Sequence, residues 1–341
     1  MSRDADLEVC RGLIRHGSRS FHAASLLLPR RLRDQALALY AFCRLADDAV
    51  DLRADKAAAV ARLEQRLDCA YAGRPRDHAV DRAFATMLAE TGMPRLLPGA
   101  LIEGLAWDAA GRRYATLAEL RAYAARVAAA VGAMMCVLME ARQADTLARA
   151  CDLGIAMQLT NIARDIGEDA RAGRLFLPLD WLEEAGIAPA AFLAAPCPSP
   201  ALAALTGRLL SEAERLYLRA APGIVTLPRR CRPGIAAALQ IYSGIGRRIA
   251  AAGYDSVSCR AQTTTADKLR LAGRAVVGTL VDAVMPRSPL LHARPLAETA
   301  FLVRAATLPA HEEGAAHSGV DTLLDVLGTL RARDQAAAGR I

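Results

Sequence analysis

Residues 161–169 read Asn161-Ile162-Ala163-Arg164-Asp165-Ile166-Gly167-Glu168-Asp169 and end a largely apolar run with helical spacing. Residues 44–51, Arg44-Leu45-Ala46-Asp47-Asp48-Ala49-Val50-Asp51, repeat this pattern much earlier in the chain. Each stretch places two aspartates four residues apart, with a third acid between them and an arginine upstream. Residues four apart share one face of a helix, so each aspartate pair projects to the same side. Both stretches therefore predict helices with paired carboxylates, which need cations to offset their charge.

The composition favours an all-α fold. Of 341 residues, 53% are hydrophobic but only 4% are aromatic, and alanine and leucine supply most of the apolar content. Both are strong helix formers, whereas the residues typical of strands are comparatively scarce. We predict a single large helical domain over residues 1–285, with helices packed around a central cavity. The segment Pro286-Arg287-Ser288-Pro289 marks a boundary, and residues 286–341 are predicted to form a C-terminal tail with a terminal helix.

Glycine, proline and capping residues divide the chain into predicted helices. Thr116 and Glu119 form a capping box at the start of one helix, and Asp77 is the expected cap of another. The predicted ranges are about 7–16, 31–50, 54–71, 78–91, 98–110, 117–140, 145–166, 201–220, 234–252 and 266–284, with short helices before Pro29 and from Pro178, and a last helix from Ser318.

The net charge is +7, and almost all of the positive charge is arginine. This balance suits nucleic acid, an anionic membrane surface or a phosphorylated ligand. Nucleic acid is disfavoured, because the chain has neither zinc-finger ligand spacing nor an aromatic RNA-binding stripe. The eight cysteines form no C-x-x-C pair and are expected to be free thiols in a reducing compartment.

The chain start carries acid and no apolar segment, so no signal peptide is expected. The longest apolar run, residues 127–139, is too short to span a bilayer and predicts a buried helix. These features predict a cytoplasmic protein.

The acidic pairs predict a metal site. Oxygen ligands favour a hard cation, and magnesium takes one or two carboxylates with water and substrate phosphates. Arg44 and Arg164 lie beside the pairs, and arginine together with magnesium suits a diphosphate. Gln158, Asn161 and Asp165 form a polar stripe on an apolar helix, which indicates a face turned towards a cavity. The alternative is that the acids are solvated helix ends, but the pattern occurs twice.

These residues resemble the squalene/phytoene synthase family of trans-isoprenyl diphosphate synthase-like enzymes over about Arg11 to Leu271. The main marks are Gly17-Ser18-Arg19-Ser20-Phe21, the segment from Tyr40 to Asp51, and the long segment from Gln158 to Pro178. Weaker marks are Arg113-Tyr114-Ala115-Thr116, Tyr242 and Tyr254-Asp255. The resemblance implies the all-α isoprenoid synthase fold.

The resemblance also implies site residues. Magnesium, or manganese in its place, would be held by Asp47, Asp51, Asp165 and Asp169. Tyr123 is a candidate catalytic residue, although Ala125 and Ala129 stand where the family often has tyrosine and glycine. The implied substrate-binding residues are Ser18, Arg19, Ser20, Phe21, Tyr40, Arg44, Gln158, Asn161, Arg164, Arg174, Tyr242 and Arg260, with Ser18 to Phe21 in a mobile flap.

The implied reaction joins two geranylgeranyl diphosphates head to head, through prephytoene diphosphate, to phytoene, with no need for NADPH. Carbocations require a dry cavity. Its candidate lining residues are Val127, Val131, Met134, Met135, Leu138, Ile155 and Leu159. A long hydrocarbon product and a basic chain predict peripheral membrane association, with possible contact to other carotenoid enzymes.

Two alternatives remain open from the sequence. A squalene or dehydrosqualene synthase that uses farnesyl diphosphate would share every motif quoted above. A non-catalytic scaffold of the same fold would be free to lose its acids, and here both pairs are complete. No nucleic-acid partner is expected.

Overall fold

The computed structural model describes residues 3–17, 25–51, 56–261, 270, 271, 273 and 288–307. Within these residues the protein is all-α and contains no strand, as predicted. The α-helices are α1 (Arg3–Gly17), α2 (Arg30–Asp51), α3 (Lys56–Tyr71), α4 (Ala79–Thr91), α5 (Leu96–Ala109), α6 (Leu117–Ala124), α7 (Ala130–Leu138), α8 (Ala144–Arg171), α9 (Leu179–Glu184), α10 (Pro189–Ala194), α11 (Pro200–Ile224), α12 (Arg232–Ala251) and α13 (Ala300–Thr307).

Helix α8 forms the centre of the fold. Its 28 residues include a long series of buried side chains, and it packs against α7, α11, α12 and α13. It runs beyond the predicted end near residue 166, so Asp165 and Asp169 lie inside the helix. Gly167 does not end the helix. Its lack of a side chain instead allows a loop to cross closely, since a Cβ on Gly167 would lie 2.6 Å from Val257 Cα. The helix ends near Gly173, whose φ of +75° favours glycine.

The helix predicted over 117–140 is present, but a π turn interrupts it. The capping box holds its start, where Glu119 N donates to Thr116 Oγ1 at 3.3 Å and Glu119 Oε2 accepts from Ala115 N at 3.0 Å. The π turn covers Ala125–Ala129 between α6 and α7. Such turns are rare inside α-helices and occur often at functional sites.

The predicted cap of α4 is wrong. His78 caps this helix, because its ring accepts a hydrogen bond from Val80 N at 3.3 Å. Asp77 instead lies on the surface and pairs with Arg82 at 2.5 Å. Helix α10 and the helix over 300–307 were not predicted, whereas the helices expected over 266–284 and from Ser318 lie outside the described residues, apart from residues 270, 271 and 273.

Residues 288–307 pack onto the helical body. Leu302 and Ala306 of α13 are fully buried, and Arg121 Nε of α6 donates to Glu298 Oε1 at 2.9 Å. The proposed division near residue 286 stays a prediction.

All eight cysteines carry free thiols, as expected. Among the described residues, one helical stretch, Leu117–Leu138, is long and apolar enough to cross a membrane by length and composition. It is longer than the apolar run noted in the sequence, because it includes α6. Since 61% of its most apolar window is buried inside the protein, the stretch has the character of a core helix.

Candidate active site

A largely apolar cavity of about 300 Å³ runs along α8. Its walls come from α2, the π turn, α7, α8, α11 and α12. Of the predicted lining residues, Val127, Val131 and Met135 do face the cavity. The others are buried in the core but are not among the residues that line this cavity: Met134, Leu138, Ile155 and Leu159.

Polar side chains lie at one end of the cavity. Tyr40, Gln158, Asn161 and Tyr242, all predicted to bind substrate, line this end. Burial raises the pKa of Tyr40 to about 12, with smaller contributions from Tyr242 and Asp47. Asn161 lies one helical turn before Asp165, so the acidic stretch continues directly from the mouth of the cavity.

The first acidic stretch ends α2. The Arg44 guanidinium reaches Asp48 Oδ1 at 2.6 Å and Asp47 Oδ2 at 3.4 Å, and these side chains are partly exposed. Asp51 is the last residue of α2, and its side chain lies outside the described part of the structure, as do Ser18, Arg19, Ser20 and Phe21. The expected roles of these five residues stay predictions.

In the second stretch, Asp165 is held by two arginines. Arg164 Nε and Arg260 Nε each donate to Asp165 Oδ1 at 2.7 Å. Burial opposes the charge of Asp165, but hydrogen bonds from Arg164 and Arg260 outweigh it and lower the pKa of the carboxyl. The structure thus joins Arg260, predicted to bind substrate, to the acidic stretch.

Asp169 has the opposite electrostatic character. Burial raises its pKa to about 7, and the carboxylates of Asp165 and Asp108 add to the shift. Arg174 Nη2 pairs with Asp169 Oδ1 at 3.0 Å, which offsets part of this cost. Two carboxylates on one helix face therefore differ in charge state near neutral pH, since one has two arginine partners and the other has one.

Tyr123 is a buried tyrosine whose pKa is affected by carboxylates of both acidic stretches. Its ring is 4% exposed and packs against Tyr114 and Phe176, with centroids 5.2 and 5.3 Å away. Burial raises the pKa of Tyr123 well above its usual value, and the carboxylates of Asp108, Asp47 and Asp169 raise it further. Asp47 and Asp169 thus both raise the pKa of one phenol, which links the two acidic stretches electrostatically.

The donor set fits a hard divalent cation. It consists of carboxylate oxygens, which magnesium prefers, and a cation would offset the charge cost that keeps the pKa of Asp169 high. Within the described residues, no three His, Cys, Asp or Glu side chains come close enough to form a metal cluster. The arginines hold the carboxylates instead, so a bound metal would need further oxygen ligands, which a diphosphate supplies.

Asp108 is a neighbour of Asp169 that was not predicted from the sequence. Asp108, near the end of α5, lies 4.0 Å from Arg174 Nη1 and shares this arginine with Asp169. The only signal in the sequence is an acid in a strongly apolar helix. Arg171 is exposed and donates to Val257 O at 2.6 Å, so it binds the loop that crosses α8.

Comparison of the sequence with known protein families gives a match over most of the chain. The squalene/phytoene synthase model matches residues 14–272, most of the chain. The chain belongs to the squalene/phytoene synthase family. Curated relatives include phytoene synthases of Rhodobacter capsulatus, 56% identical over 99% of both chains, and Cereibacter sphaeroides, 53% identical over 98% of this chain and 96% of the relative.

Solved structures of the family share the fold. The structure of a dehydrosqualene synthase in complex with ligand is similar with a TM-score of 0.76 and 30% identity, covering 82% of this chain and 98% of that chain. A squalene synthase from Alicyclobacillus acidocaldarius has a TM-score of 0.68 at 27% identity, covering 74% of this chain and 95% of that chain. The isoprenoid synthase architecture predicted from the motifs is therefore confirmed.

Proposed function

We propose that this protein is a phytoene synthase that joins two geranylgeranyl diphosphates head to head, through prephytoene diphosphate, and releases diphosphate. The observation that carries the proposal is the near full-length similarity to two phytoene synthases. The site supports it, because polar side chains line one end of an apolar cavity and Asp165 follows one of them, Asn161, by one helical turn. Prenyl diphosphates have the same division into a charged head and an apolar tail.

Divalent-metal dependence is general in this family. In our proposal Asp47, Asp51, Asp165 and Asp169 hold Mg²⁺, with Mn²⁺ as a substitute. The metal would supply positive charge that stabilises the departing diphosphate.

The arginines of the chain bind and orient the diphosphates. Arg44, Arg164, Arg174 and Arg260 now hold carboxylates at the site, and a planar guanidinium binds phosphate oxygens in the same way. Binding of metal to the carboxylates would free these forks for the substrate. Arg19, with Ser18, Ser20 and Phe21, is proposed to close over the site.

The cavity protects the carbocations. Its apolar walls exclude water, which would otherwise quench an allylic cation before the second prenyl chain reacts. At the mouth, Tyr40, Gln158, Asn161 and Tyr242 are proposed to position the two diphosphates. Tyr123 keeps its proton, because its pKa is raised well above the usual value. A neutral phenol is a poor base, so the released diphosphate is the proposed acceptor of the final proton.

The product assay tests the reaction. With geranylgeranyl diphosphate and Mg²⁺ alone, we expect phytoene and diphosphate as products. The similarity to a dehydrosqualene synthase at 30% identity makes farnesyl diphosphate the alternative substrate. It is tested in parallel, with and without NADPH. NADPH-dependent squalene as the main product would overturn the proposal.

The raised pKa of Asp169 predicts a pH dependence. Below about pH 7 this carboxyl takes up a proton, and a protonated carboxyl binds a cation poorly. The Mg²⁺ concentration for half-maximal turnover should therefore rise as the pH falls from about 8 to about 6. Asp108→Asn removes a carboxylate that raises the pKa of Asp169. In this variant the rise in the required Mg²⁺ concentration should therefore begin at a lower pH. An unchanged profile in this variant would contradict the assignment.

The product is a long hydrocarbon, so we propose a cytoplasmic protein that associates with the membrane surface. The net charge of +7 supports contact with anionic lipid. Contact with other carotenoid enzymes would follow from the need to transfer phytoene, and we propose no nucleic-acid partner.

A further inference from the structure

The end of the cavity opposite the acidic site contains a buried charge. Arg149 lines this end and is 1% exposed. It lies sixteen residues before Asp165 on α8, which corresponds to about 24 Å at the helical rise of 1.5 Å per residue. A guanidinium is out of place against the tail of a prenyl chain, because burying charge without full pairing costs free energy.

The partners of Arg149 show what this charge does. Its Nε donates to Asp152 Oδ2 at 2.9 Å, and its Nη1 donates to the carbonyl oxygens of Leu290 and Leu291. Asp152 is fully buried and also accepts from Arg219 Nε at 3.2 Å. Arg219 Nη2 in turn donates to Arg294 O at 2.9 Å. Two arginines on one buried aspartate thus bind the main chain of a single segment, residues 290–294.

The cluster is incompletely paired. Among the described residues, Arg149 Nη2 and Asp152 Oδ1 are buried and have no hydrogen-bond partner. Removing water from such groups costs free energy, so the cluster adds little net stability for its size. Its main consequence is positional, because the carbonyl oxygens of residues 290, 291 and 294 each accept from a directed N–H group.

The neighbouring wall leaves room for the Arg149 side chain. A Cβ on Gly223 of α11 would lie 2.3 Å from Arg149 Cβ, so only glycine fits there. The aliphatic stem of Arg149 can therefore form the end wall of the cavity while its guanidinium points to the segment behind it. Leu291 is 3% exposed behind this wall, whereas Leu290 beside it is 42% exposed.

We propose that residues 288–294 close the far end of the cavity, that Arg149, Asp152 and Arg219 hold them there, and that this closure limits the length of prenyl chain that binds. The inference rests on the proposed function, since it assigns a length limit to the same cavity. Arg149 and Arg219 are positioning residues in this scheme. The family match ends at residue 272, so the closing segment lies beyond the region that defines the family.

Binding of unreactive substrate analogues tests the closure separately from turnover. The probes are thiodiphosphates that carry 20-carbon and 25-carbon prenyl chains, measured against the full-length protein with Mg²⁺. For the wild type we expect the 20-carbon analogue to bind more tightly. Leu291→Ala opens space behind the wall, and we expect it to reduce this preference by about tenfold or more.

Two further variants complete the test. Arg219→Gln removes the bond to the Arg294 carbonyl from a partly exposed position, so it weakens the closure without opening the core. We expect it to reduce the preference in the same direction. Leu290→Ala is the matched control, because it keeps the carbonyl that Arg149 binds and shortens an exposed side chain. The preference of Leu290→Ala for the 20-carbon over the 25-carbon analogue should stay within about twofold of that of the wild type.

The outcomes separate the two proposals. An unchanged preference in folded Leu291→Ala and Arg219→Gln, or an equal change in Leu290→Ala, would overturn the closure. The product assay with geranylgeranyl diphosphate tests the proposed function on its own, since the binding preference is measured without product formation.

Discussion

Turnover is expected to fall by more than about a thousandfold when Asp165 is replaced by asparagine, while the helical circular-dichroism signal persists. Asp165 carries full charge, since Arg164 and Arg260 lower its pKa. The asparagine amide is uncharged, so it no longer attracts the metal cation that is proposed to stabilise the diphosphate. Loss of one preorganised electrostatic contact at a reacting centre costs on the order of a hundred- to a thousandfold, and a lost metal ligand adds to this.

The controls for this prediction lie on the same two helices. Asp47→Asn should show a similar loss, because Asp47 is proposed to hold the same metal, and its carboxylate, like that of Asp169, raises the pKa of Tyr123. Glu168→Gln makes the same acid-to-amide change three residues after Asp165, but its side chain is 59% exposed. It should keep turnover within about threefold of the wild type. Near-normal turnover in both aspartate variants would remove the metal hypothesis.

The second large effect is expected at Gly154, where α8 crosses the π turn. A Cβ at this position would lie 2.6 Å from Ala129 Cα and 2.7 Å from Ala128 O. Backbone atoms cannot move aside as a flexible side chain can, so Gly154→Ala must push the two elements apart. Overpacking of this kind costs about 1–3 kcal/mol or more, and we expect a lower midpoint of thermal unfolding.

Gly12 in α1 provides the matched control. A Cβ there would meet nothing within 4 Å, and alanine is a better helix former than glycine by about 1 kcal/mol. Gly12→Ala should therefore leave the unfolding midpoint unchanged or raise it. If Gly154→Ala were as stable as Gly12→Ala, the close contact between α8 and the π turn would be wrong. Calorimetry or circular dichroism on both variants gives the comparison.

Local patterns allowed much of the fold to be predicted. The apolar spacing and the acidic end of α8 are properties of neighbouring residues, as is the capping box at Thr116. The end of α8 was placed too early, because the loop at Val257 that Gly167 accommodates comes from far along the chain. The π turn could not be predicted from capping or helix-breaking residues, because it lies where α8 packs closely against Ala129.

The site shows the same division. The repeated spacing of acids predicted Asp47 and Asp165 as site residues, and the motifs predicted Arg44, Arg164 and Arg174. Asp108 was not predicted, because it and Asp169 are both paired with Arg174, and Asp108 is distant from both residues in sequence. Arg149 and Asp152 looked like ordinary positions on a helix, and only the segment at Leu290 gives them a role.

The sequence by itself determined that the chain forms helices, that two of them carry paired carboxylates, and that these pairs resemble those of one enzyme family. Only the tertiary structure decided that Asp165 stays charged, that Asp169 titrates near neutral pH, and where the cavity ends. The reason is physical. Helix formation and residue spacing depend on near neighbours, whereas the pKa of a carboxyl and the depth of a cavity depend on burial and on groups that folding brings from elsewhere in the chain.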